Sequence, residues 1–65
     1  MVFSKAKMLA RLEKEGRSHL VDGAMMHIMN NLDGRVATPN YFTGRDEYIV
    51  NLNGKHYVVN KLDCE

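Results

Sequence analysis

Hydrophobic and polar positions change their period partway along this chain. Between Glu47 and Asn60, EYIVNLNGKHYVVN, two runs rich in Tyr, Ile, Val and Leu flank Asn53-Gly54. A two-residue Asn-Gly connection between such runs predicts a β-hairpin, because a type I′ turn needs φ > 0 at both central residues. The turn sets the register: Leu52 opposite Lys55, Asn51 opposite His56, Val50 opposite Tyr57, Ile49 opposite Val58 and Tyr48 opposite Val59. Alternation then puts Tyr48, Val50, Leu52, Tyr57 and Val59 on one almost wholly apolar face, which should meet the core. The other face carries Glu47, Ile49, Asn51, His56, Val58 and Asn60, with the Ile49–Val58 pair as its one apolar spot.

Upstream of the hairpin the period is helical. Ser4 is placed to cap a first helix from Lys5 to about Glu15, with Phe3 and Met8 at the positions of a hydrophobic staple. Met8, Leu9 and Leu12 form a narrow apolar stripe, and Gly16 is the natural stop. A second helix is expected from an N-cap at Ser18 to about Leu32. Its stripe is Val21, Met25, Ile28, Met29 and Leu32, widened by Leu20 and Ala24, and Asp33-Gly34 ends it. The short link at Gly16-Arg17 requires the two helices to fold back as a pair or to cross steeply.

A lone hairpin is marginal in water, so the helices must cover its apolar face. The expected fold is α+β: two N-terminal helices packed on a C-terminal antiparallel hairpin (α-α-β-β), with room for a third short strand at Val36-Ala37. Tyr41 and Phe42 are expected as an aromatic plug over one end of the core. Gly44-Arg45-Asp46 should turn into the hairpin, and the tail from Lys61 to Glu65 should fray.

Composition narrows the classes. Sixty-five residues make one small domain with a thin margin of stability. A hydrophobic fraction of 45% sets the chain apart from disordered sequences, and the net charge of +1 gives no electrostatic case for nucleic acid or an anionic membrane. Cys64 is the single cysteine, which points to a reducing compartment or indifference to redox state. The start MVFSKAKM is too polar for a signal peptide, so a cytoplasmic, non-membrane protein is expected.

Candidate chemistry is sparse. His19 and His27 stand eight positions apart with no ligand-type partner one turn away, and His56 lies on the outer hairpin face. Cys64 on a fraying tail has no base or oxyanion hole around it. No pair of acidic residues is spaced to share a proton. Neither enzyme activity, nor a metal, nor a cofactor is expected.

Two binding readings remain. His19, Gly23, Met26 and Asn30 recur at helical spacing away from the apolar stripe, and a Gly beside an adaptable Met makes a shallow contact surface. Together with Ile49 and Val58 they suggest an interface with another protein or with a second copy of the chain. The alternative is a small nucleic-acid binder, winged-helix-like, using Lys5, Lys7, Arg11, Lys14 and Arg17. Three features count against it: only two helices are visible, Leu12 stands four positions before the turn Gly16 where a small residue is usual, and Ser18-His19-Leu20-Val21-Asp22 offers no Arg or Lys at the start of the second helix.

The opening FSKAKMLARLEKEGR resembles the start of small accessory proteins carried by phages and mobile elements of Gram-positive bacteria. The resemblance covers the first quarter of the chain. It implies a small intracellular protein that acts by binding a host or phage macromolecule, a group that includes inhibitors of host defence systems.

Overall fold

A computed structural model describes residues 1–43 and 46–65. In chain order they form helix α1 (Lys5–Lys14), a 3₁₀ turn (Ser18–Leu20), helix α2 (Gly23–Leu32), strands β1 (Ala37–Pro39), β2 (Glu47–Leu52) and β3 (Lys55–Asn60), and a second 3₁₀ turn (Lys61–Asp63). The strands make an antiparallel sheet in the order β1-β2-β3. The α+β class, two helices and then an antiparallel sheet, is the one expected.

Helix α1 begins where the sequence places it. The Ser4 hydroxyl accepts from the Lys7 backbone N–H (3.2 Å), and the Asp33 carboxylate, from the far end of α2, accepts from the Lys5 N–H (2.9 Å). Two of the helix's four orphan donors are thereby satisfied, one of them by a residue 28 positions away. At the other end Gly16 takes φ +71°, Arg17 N–H donates to Leu12 O (2.7 Å) and Gly16 N–H to Glu13 O (3.0 Å). These are the two bonds of a Schellman stop.

The second helix is shorter than its hydrophobic pattern suggests. Residues 18–20 form a separate turn, and α2 starts at Gly23 with Asp22 as its cap, the carboxylate accepting from Met25 N–H (2.8 Å). Asp is as good an N-cap as Ser and lies next to a poor interior residue, Gly, which is tolerable in the first turn. The connection between the helices is therefore longer than Gly16-Arg17, and Leu20 and Ala24, expected in the buried stripe, are exposed.

In the hairpin, Asn53 and Gly54 both have positive φ (53° and 81°), and the pairs run from Leu52–Lys55 to Glu47–Asn60 in the register read from the sequence. Strand β1 joins β2 through Ala37–Val50, Thr38–Ile49 and Pro39–Tyr48, one residue later than Val36-Ala37. The core is Phe3, Met29, Leu32, Ala37, Val50 and Cys64, with Tyr48, Leu52, Tyr57 and Val59 packed on it from the sheet and Met8 and Leu9 from α1.

Two expectations fail. Tyr41 and Phe42 are 88% and 98% exposed, so they plug nothing; they sit on a turn beyond Pro39, past the end of β1's pairing. The tail does not fray. Asn60 caps its 3₁₀ turn by accepting from Leu62 N–H (2.8 Å), and Cys64 pairs with Phe3. Val2 and Glu65 exchange both backbone hydrogen bonds at 2.8 Å. Of the expected turn at Gly44-Arg45-Asp46, the first two residues lie outside the described ones.

Candidate functional site

A groove of about 260 Å³ runs between α2 and β3. Met25, Ile28, Met29 and Leu32 form its helical wall, while Phe3 and Met8 reach it from the N-terminal segment and α1. The opposite wall is the run Tyr57, Val58, Val59 and Asn60. Successive side chains of a strand point to opposite faces, so four consecutive residues can border one cavity only along the strand's edge. The groove therefore follows the rim of the sheet where β3 is the last strand.

That rim carries backbone groups that have no partner among the described residues. Lys61 N–H donates to Asp46 O (2.8 Å) just beyond the ladder, and hydrogen-bonded pairs alternate in antiparallel sheets. The bonded pairs are then Tyr48–Val59, Val50–Tyr57 and Leu52–Lys55. His56, Val58 and Asn60 turn their N–H and C=O groups away from β2. The Asn60 carbonyl accepts from the Cys64 thiol (3.7 Å), leaving His56 and Val58 with both backbone groups directed outward. Val58 is 56% exposed.

The polar end of the groove is a bidentate ion pair. Arg11 donates through Nε to Asp63 Oδ1 (2.7 Å) and through Nη2 to Oδ2 (3.0 Å), and Nη1 reaches Glu15 (3.2 Å). Asp63 is only 2% exposed, and its hydrogen bond raises the Arg11 guanidinium further above its usual pKa. The pair ties the tail to α1. Beside it Lys7 Nζ donates to the Cys64 carbonyl (2.9 Å). Cys64 itself is 1% exposed, and burial, aided by the nearby Asp63 charge, pushes its thiol pKa up. The thiol is thus a protonated core group, where the sequence suggested an exposed one.

The residues singled out as a protein interface fall into three groups. His19 stands exposed on the 3₁₀ turn, outside α2, whereas Gly23, Met26 and Asn30 lie along α2 at i, i+3 and i+7. Met26 packs against the core, and Asn30 accepts from Lys5 Nζ (2.7 Å). On that side of α2 Gly23 and Asn30 are exposed and Met26 is partly buried, while His19 belongs to the preceding turn. Ile49 and Val58 do sit opposite each other on the sheet's outer face, which also presents Val36, Thr38, Asn51 and His56 around a shallow depression.

The basic candidates are largely engaged within the fold. Lys5 is held by Asn30, Lys7 by Cys64 O, Arg11 by Asp63 and Glu15, and Arg17 by Glu15 (3.3 Å); Lys14 is exposed on the last turn of α1. Two of the five cations thus have carboxylate partners, which lowers the field that would attract phosphates. The three histidines lie on three different elements, and no cluster of three or more His, Cys, Asp or Glu occurs among the described residues. Among those residues no helix is long and apolar enough to cross a membrane.

Sequence reasoning missed the groove because it depends on where α2 lies over the sheet. It also missed Asp63 and Cys64, although Asn60 is a good capping residue and Cys is among the most often buried types. No family model, no curated protein and no solved structure matches the chain.

Proposed function

We propose that this chain is a non-enzymatic protein-binding module that takes an extended segment of a partner as an added strand along β3. The observation that carries the reading is the coincidence of the unpaired backbone groups of His56 and Val58 with an apolar groove bordered by Tyr57–Asn60. A row of outward N–H and C=O groups is matched by another extended backbone, and alternate side chains of that backbone enter the groove. Three methionines, Met8, Met25 and Met29, line it, and their unbranched side chains adapt to different occupants. If the chain acts on a host or phage macromolecule, as the resemblance of its opening implies, this contact is the one through which it does so.

The test is selection from a displayed library of short peptides, followed by chemical-shift mapping of a recovered peptide on the labelled protein. Shifts centred on residues 57–60 and on the methyls of Met25, Ile28 and Met29 are expected. Val58→Pro should abolish binding, since it removes an outward N–H without breaking the β2–β3 ladder. Shifts centred on the outer sheet face around Ile49, or on Lys14 and Arg17, would overturn the reading.

A further inference from the structure

Resting on that reading, we infer that the added strand is β3 of a second copy of the chain, joined antiparallel about a two-fold axis at Val58 into one sheet of order β1-β2-β3-β3-β2-β1. A two-fold contact sets an edge against its own reversal, so the edge must be complementary to itself. The β2–β3 ladder leaves His56, Val58 and Asn60 turned outward. With the axis at Val58, that residue exchanges both backbone hydrogen bonds with Val58 of the second copy. At each end the His56 carbonyl receives the Asn60 N–H of the other copy. An axis at Tyr57 would set Asn60 against the turn residue Gly54, so the register centred on Val58 is the one that uses the whole edge.

Side chains satisfy the same register. Ile49 lies opposite Val58 within each copy, so on the outer face the two small apolar spots join into one row of four β-branched side chains, and the exposed Val58 is covered. On the core face Tyr57 meets Val59 of the second copy along the rim that the groove follows. Charge is also unevenly placed along the hairpin. Its turn end carries Lys55 and His56, and no carboxylate occurs from Tyr48 to Asn60. Its open end carries Asp46, whose carbonyl accepts from Lys61 N–H, and Glu47, opposite Asn60. Among the described residues the open end is therefore net acidic. Antiparallel joining brings the turn end of each copy to the open end of the other. His56 then shares a row and a face with Asn60 and Glu47 of the second copy, and Lys55 shares a face with Asp46. Parallel joining would set like ends together. The seam is five residues long, which is short for a standard interface of about 800 Å² per partner, so the dimer is a weak one.

The experiment follows mass in solution and backbone chemical shifts of the full chain under reducing conditions, from about 10 μM to about 1 mM. Mass is expected to rise toward two chains, with concentration-dependent shifts at residues 56–60 and at the methyls of Met25 and Ile28. In a mixture of labelled and unlabelled chains, the Val58 methyls of one copy should contact those of the other. His56→Glu sets carboxylate against carboxylate at both ends of the seam and should weaken the dimer about tenfold at low salt, and adding Glu47→Lys to the same chain should restore it. Dispersed spectra verify that both variants fold. A chain that stays monomeric at 1 mM yet binds library-selected peptides at residues 57–60 would overturn the second copy and leave the strand-addition reading standing. A monomer that binds no such peptide would overturn both. A dimer whose shifts centre on Val36 and Ile49, with the His56 and Val58 amides still exchanging freely, would overturn the edge contact. A dimer equally tight in His56→Glu would overturn the register.

Discussion

Along β1 the chain covers its own sheet edge. Ala37 N–H donates to Met1 O (2.7 Å), Val2 pairs with Val36, and the tail at Cys64 pairs in turn with Phe3. The strand is three residues long and ends in Pro39, which has no N–H to offer. Along β3 the edge runs for six residues, and the tail that follows turns away after Asn60 toward α1. Short strands, prolines and covering segments are the usual means of keeping an edge from pairing with other chains. Here they are concentrated on one side. In a domain this small, both termini are spent on closing one edge while the other stays available beside an apolar groove.

The difference can be broken most severely from the closed side. Truncation after Lys61 removes Asp63 and Cys64, strips Phe3 of its strand partner, and should leave the chain unfolded at room temperature by circular dichroism, because the whole margin of such a domain is only about 3–5 kcal/mol. Asp63→Ala leaves the Arg11 guanidinium with only the exposed Glu15 as a carboxylate partner and should cost about 2–3 kcal/mol in urea unfolding, below the fully buried case because Arg11 is partly exposed. Gly54→Ala forces a side chain into φ +81° and should cost about 1–2 kcal/mol while leaving both edges as they are.

Alkaline pH probes the closed side more gently. The native Cys64 thiol has a raised pKa, so the folded state holds its proton more tightly than the unfolded chain does. This contribution to stability is complete below the unfolded pKa of about 8.5 and is lost as pH rises through the higher native value. Denaturant midpoints measured against pH should fall in that window in the native chain and stay flatter in Cys64→Ala. The smallest change in stability is expected on the open side. Val58→Pro should shift unfolding by about 0.5 kcal/mol or less, yet abolish binding of a strand-forming peptide.

Much of this asymmetry lay outside sequence patterning for physical reasons. The hairpin was legible because Asn53-Gly54 and strict alternation specify it locally, and Ser4 and Gly16 likewise mark the ends of α1. The break before α2 was not, since the apolar residues around Ser18–Leu32 keep helical spacing across a segment that Asp22 interrupts. The tail was misread because its one large apolar residue, Leu62, is exposed, and its anchoring comes from Asp63, Cys64 and backbone pairing with a distant segment. Of the candidate interface, Ile49 and Val58 pair on the outer face as expected. Val58 borders the groove because it sits on the last strand, a fact that only the strand order reveals.

Amide hydrogen exchange of β3 in the free protein tests the open edge most directly. The N–H groups of Tyr57 and Val59 point into the ladder and those of His56 and Val58 point out. In a monomer, His56 and Val58 should exchange at rates close to those of an unstructured chain. Tyr57, Val59 and, on the covered side, Ala37 should be protected by about 10²–10³-fold, the limit that the domain's small stability sets. Adding a bound peptide should slow His56 and Val58 alone among these. Equal protection of all four β3 amides in the free monomer would mean that the edge is already covered, and would contradict the account.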